Sequence, residues 1–72
     1  MAESVYKVVE LIGTSAESWG KAAQVAVETA AETLRDLRIA EIVEQDVQIE
    51  EGKVVAYRVK VKLSLKYERG ED

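Results

Sequence analysis

The clearest pattern in the chain lies near its end. Tyr57, Val59, Val61, Leu63, Leu65 and Tyr67 alternate with Arg58, Lys60, Lys62, Ser64 and Lys66. A period of two with one wholly apolar side marks a half-buried β-strand. A second run, RIAEIVEQDVQI, precedes it, and EEGK separates the two. Gly52 inside that short acidic stretch predicts a hairpin turn. With the turn centred on Glu51 and Gly52, Ala40 falls opposite Leu63 and Ile42 opposite Val61. Glu41 then pairs with Lys62, Val43 with Lys60 and Gln45 with Arg58 on the other side of the sheet. A slip of one residue would exchange the two faces.

Near the start, VYKVVELI (residues 5–12) is rich in β-branched and aromatic side chains and predicts another strand. Tyr6, Val8 and Ile12 fall on one side with Glu10. Val5, Val9 and Leu11 fall on the other with Lys7. A strand apolar on both sides is either central in its sheet or covered by another chain. GTSAE (residues 13–17) predicts a helix start, with Thr14 as N-cap and Glu17 as its capping-box partner; Ser15 is the alternative cap. Beyond it, Trp19, Ala22, Ala23, Ala26, Ala30, Leu34 and Leu37 recur at spacings of three and four, a helical stripe. Most of the stripe is alanine, which lets a sheet come close. Gly20 within it either permits a close contact or is tolerated, at about 1 kcal/mol of helix propensity. The final ERGED is charged and predicts a frayed end.

The order is strand, helix, strand, strand. The expected fold is α+β, a three-stranded antiparallel sheet wrapped around one helix, as a single domain over residues 1–72 with its core at about 5–67. With 72 residues, such a domain buries only about 60% of its unfolded surface and needs a staple. The chain has no Cys and no His. That excludes disulfides and thiol catalysis and removes the commonest general base and metal ligand. Self-association or an oxygen-liganded hard cation remains. Lys and Arg number 10 against 14 Asp and Glu, a net charge of −4, which argues against nucleic acid. No apolar run approaches a membrane span, and MAESVYKV has no signal-peptide pattern, so a cytoplasmic protein is expected.

VYKVVELIGTS, the alanine-rich helix, TLRDLRIAEIVEQDVQI and YRVKVKLSL together resemble the dodecin family over roughly residues 5–67. The resemblance implies a hollow homododecamer of β-α-β-β subunits, many of which bind flavin between subunits. In the flavin-binding branch the second strand begins with a Trp that stacks on the isoalloxazine ring; here Ile39 occupies that position and Ala40 the adjoining Phe position. A ring-bonding Gln of the third strand is replaced by Arg58. Stacking adds about 1 kcal/mol or more per aromatic pair, which Ile cannot supply, and Arg only donates where Gln also accepts. TSAESW and RIAEIVEQD resemble instead the mycobacterial type known as calcium dodecin, which lacks the flavin Trp. The resemblance thus implies a non-enzymatic shell that binds or stores a small ligand or ion. Calcium or a similar hard cation is favoured, with flavin (riboflavin or FMN) or a ligand-free assembly as the alternatives.

Glu44 and Asp46 lie two residues apart and share a strand face, so they are the cation candidates. Calcium takes six to eight oxygens, so symmetry-related copies would complete a site. The bland reading has both carboxylates solvated beyond the helix end or paired with Lys or Arg, and the sequence favours it. Arg58, Lys60, Lys62 and Lys66 form a cationic strip, an anion site on one reading and cross-strand partners on the favoured one. Trp19 is expected in the core or an interface, and Glu10 in a subunit-contact ion pair. GTS is expected to cap the helix and not to hold a phosphate. No catalytic constellation is present.

Overall fold

The computed structural model describes residues 3–67. Strand β1 (Tyr6–Ser15), helix α1 (Trp19–Ala30), strand β2 (Leu37–Glu50) and strand β3 (Lys53–Lys66) follow in that order. The sheet is antiparallel with spatial order β1-β3-β2. The alternating strand is thus the central one. Its apolar row, Val59, Val61 and Leu63, is almost fully buried. Ala22, Ala26 and Ala30 of α1 lie over that row, and the small side chains bring the helix axis close to the sheet. Each buried Val or Leu contributes about 1.5–3 kcal/mol, so these three hold most of the core.

β1 is an edge strand, so of the two explanations for its double apolar face, a central place is removed. Its Val9, Leu11 and Gly13 lie opposite Leu63, Val61 and Val59 on the helix side. Its other face leaves Tyr6, Val8 and Ile12 half exposed. Gly13 allows a close approach of β1 to α1. A Cβ there would overlap the Ala22 carbonyl oxygen and stand 2.8 Å from the Ala26 Cβ. Gly20, the glycine that the helical stripe brought to notice, meets only Ser18 Oγ at 3.9 Å and is merely tolerated.

The helix starts later than predicted. Ser18, not Thr14 or Ser15, is the N-cap; its backbone is extended and its Oγ accepts the Lys21 N–H at 3.0 Å. Thr14 and Ser15 still belong to β1, and the Ser15 hydroxyl accepts the Glu17 N–H at 2.9 Å. The apolar stripe also outlasts the helix. α1 ends at Ala30, Leu34 packs from the turn after it, and Leu37 opens β2. Asp36, in the left-handed region at φ 61°, turns the chain between them.

The hairpin turn is where the sequence puts it. Glu51 and Gly52 both have positive φ, 52° and 77°, the signature of a type I′ turn that matches strand twist. Ala40 lies opposite Leu63, Ile42 opposite Val61 and Glu41 opposite Lys62, as predicted. The predicted pairs Val43–Lys60 and Gln45–Arg58 do not form. Val55 of β3 is passed over between Gln48–Ala56 and Ile49–Val54, and Val43 of β2 between Ile42–Val61 and Glu44–Lys60. These two bulges cancel, so residues 44–48 are slipped by one relative to the ladder on either side of them. The slip turns their side chains to the opposite face. A third irregularity passes over Arg38 between Leu37–Leu65 and Ile39–Ser64. ERGED lies outside the described residues. Among the described residues, no helix is long and apolar enough to cross a membrane.

Candidate functional site

The face of the sheet turned away from α1 is built in rows across three strands. Val8, Ser64 and Ile39 form one row; Glu10, Lys62 and Glu41 the next; then Ile12, Lys60 and Glu44; then Thr14, Arg58 and Asp46. Each central residue is a β3 side chain pointing away from the core. The three cations Lys62, Lys60 and Arg58 therefore each face an acid on β2. Lys62 would face Glu41 without any bulge, but Lys60 and Arg58 meet Glu44 and Asp46 because the bulges at Val43 and Val55 together turn residues 44–48 over, carrying both carboxylates from the helix side to the outer side. On the helix side they would have met Val59 and Tyr57, where an unpaired carboxylate is costly.

Arg58 clamps Asp46 with two bonds. Its Nε donates to Oδ1 at 2.8 Å and its Nη2 to Oδ2 at 3.1 Å. Lys60 Nζ stands 3.6 Å from Glu44 Oε1. The Arg58 hydrogen bonds hold the Asp46 carboxyl below its ordinary value of 3.8; partial desolvation pulls the other way, and the charges of Arg58 and Lys60 add to the lowering. The same contact raises Arg58. All four side chains are about a third exposed or more, so these are solvent-screened pairs that add little to stability.

The predicted site residues divide into two sets. Glu44 and Asp46 come together, in one shallow groove with Arg58, Lys60 and Ile12. Ile39 and Arg58 share the outer face but not a site within one chain. They are separated by six residues along β3, about 20 Å. Ile39 is 57% exposed and lies beside Val8 and Ser64. Glu10 faces Lys62 across the ladder. Trp19 packs edge-on against Tyr57, with ring centroids 5.1 Å apart, but it is 38% exposed and lies outside the buried core, so the expected core placement is not found within one chain. Among the described residues, no group of three or more Asp, Glu, His or Cys is placed to hold a metal. One chain thus offers two carboxylates to a cation. The alternation in β2 could not reveal the pairing of Glu44 and Asp46 with Lys60 and Arg58. Their charges could: two acids spaced by two match two bases spaced by two in the slipped register and not in the register the turn sets.

The dodecin family model matches residues 5–68. This chain belongs to the dodecin family. The calcium dodecin of Mycobacterium tuberculosis is 43% identical over 63 residues, covering 88% of this chain and 89% of that protein. Its crystal structure, described as a calcium-chelating immunodominant antigen with a novel calcium-binding site, superposes with a TM-score of 0.80 at 41% identity over 96% of this chain and 99% of that one. The Streptomyces coelicolor dodecin superposes with a TM-score of 0.90 at 36% identity, over 97% of this chain and all of that one. The β-α-β-β order and the antiparallel three-stranded sheet are thus those of solved dodecins, and the family reading of the sequence holds.

Proposed function

We propose that this dodecin is a single-domain, non-enzymatic protein that assembles as a homododecameric shell and binds a hard cation there, calcium first. The observation that carries this reading is the turning of Glu44 and Asp46 together onto the outer face. Nearly half-identity to a protein named for calcium supports it. Two carboxylates supply at most four of the six to eight oxygens that calcium takes. Copies of the chain brought together by symmetry, with water, supply the rest. Lys60 and Arg58 hold the carboxylates in the cation-free state. They are exposed and weakly bound enough to yield to a divalent ion. A flavin has no ring to stack on at Ile39, so it stands second.

The test is calorimetry on chelator-stripped protein with a parallel melting curve. Calcium is expected to release or absorb heat and to raise the melting temperature, by an amount that corresponds to about 2.7 kcal/mol at a hundred times the dissociation constant. Glu44→Gln with Asp46→Asn is expected to lower the affinity at least tenfold. No heat and no shift, together with quenching of added riboflavin, would move the assignment to flavin. Native mass spectrometry of the purified protein checks the shell: twelve chains are expected, and a monomer or dimer at micromolar concentration would sink it.

A further inference from the structure

The two carboxylates of the cation reading are not equally held. Arg58 spans both oxygens of Asp46, Nε to Oδ1 at 2.8 Å and Nη2 to Oδ2 at 3.1 Å. Lys60 reaches Glu44 through one contact, Nζ to Oε1 at 3.6 Å. Lys62 lies between Glu10 and Glu41, and among the described residues it makes no salt bridge. The outer face thus grades its three cations along β3, from a two-bond clamp through a single contact to none.

A guanidinium on both oxygens occupies the places through which a carboxylate would ligate a metal ion. A cation therefore binds Asp46 by exchange. A monovalent ion gains nothing from it. It replaces one unit charge with another and must shed water to do so, while Arg58 already fits the carboxylate with its planar fork. A divalent ion brings two charges to two carboxylates and can displace both side chains. Each displaced side chain has a new acceptor at hand. Thr14 flanks Arg58 in its row, and its hydroxyl can accept from the guanidinium. Glu10 lies one row from Lys60, within the diagonal reach of a long side chain. Among the described residues Glu10 makes no salt bridge.

We propose that Arg58 is a built-in competitor that sets the selectivity of this site. Its clamp on Asp46 shuts out monovalent ions and holds the affinity for calcium below what the open carboxylates would give. This inference rests on the cation reading above.

The grading of the contacts supplies the test. Calcium is titrated calorimetrically into the chelator-stripped protein and into Arg58→Gln, Lys60→Gln and Lys62→Gln. Arg58→Gln is expected to strengthen calcium binding about fivefold, Lys60→Gln less, and Lys62→Gln least. Charge alone would act alike at 58 and 60, which stand opposite the two carboxylates. Arg58→Lys keeps the charge and loses the fork, so it is expected to fall between the wild type and Arg58→Gln. Sodium chloride reads the selectivity. In the wild type, salt screens calcium and its competitor together, so calcium affinity falls little as salt rises. In Arg58→Gln sodium meets an open carboxylate, and a steeper fall is expected.

Melting curves separate competition from damage. Without calcium, Arg58→Gln melts below the wild type. With calcium added to both, the gap is expected to close or reverse, because tighter binding to the folded state stabilises it more. A purely structural lesion would leave the same gap. If Arg58→Gln does not fold, Arg58→Lys decides by the same comparisons. Calcium binding that is equal or weaker in the variant, in a wild type that does bind calcium, would overturn the proposal and leave the cation reading standing. Binding in Arg58→Gln where the wild type shows none would bear the proposal out. No binding in either would sink the cation reading and the proposal with it.

Discussion

A methyl group at position 13 has nowhere to go. It would meet the backbone oxygen of Ala22 and the side chain of Ala26, and neither can rotate away. Gly13→Ala is therefore expected to cost about 1–3 kcal/mol, the usual range for overpacking, measured by denaturant unfolding. Gly20→Ala, at a site with room, should be neutral or stabilising by up to about 1 kcal/mol. The Asp46–Arg58 clamp predicts a pH dependence of definite sign. The Asp46 carboxyl is lowered in the folded protein, so its contribution is present above the ordinary value of 3.8 and is lost as pH falls through the lower folded value. Arg58→Gln should accordingly melt below the wild type at neutral pH, with the gap closing as the pH drops below about 4. A gap that widens in acid would contradict the clamp.

Among the elements, those set by strict periodicity were legible in the sequence and those set by a single local contact were not. β3 was readable because six apolar residues alternate without a break, and the turn because Gly52 accepts a positive φ. The helix was readable as a stripe, but its start was not. Thr14 and Glu17 fit the capping pattern, yet the register with β3 carries β1 through Ser15 and leaves Ser18 to cap. Ser18→Ala should cost about 1 kcal/mol, seen as a lower melting temperature. Thr14→Ala, if Thr14 caps nothing, should change it far less. The bulges at Val43 and Val55 were invisible for a related reason. Valine is an ordinary strand residue on either face, and no glycine marks the irregularity. Half of the candidate site was therefore found, Glu44 and Asp46 as a pair, while their partners Lys60 and Arg58 and their face were not.

At the scale of the whole molecule, the chain is long and thin. Its described form measures 54 × 20 × 14 Å with a radius of gyration of 15.0 Å, against about 11 Å for a compact domain of this length. Tyr6, Val8, Ile12, Ile39, Ile49 and Val54 stand largely exposed, more apolar surface than a solitary small protein usually carries. Stability should thus depend on association, and the melting temperature should rise with protein concentration, followed by calorimetry over a hundredfold dilution series. A midpoint independent of concentration would speak for a self-sufficient monomer. The sheet order β1-β3-β2 bears on what happens when association goes wrong. Both outer strands have unpaired backbone groups along one side, so each chain has two sticky margins. Contacts that close on themselves use up these margins in a finite object, whereas head-to-tail contacts that fail to close continue without limit. For the shell proposed above, damage to the closing geometry is therefore expected to have a characteristic outcome: filaments, and not stable single copies.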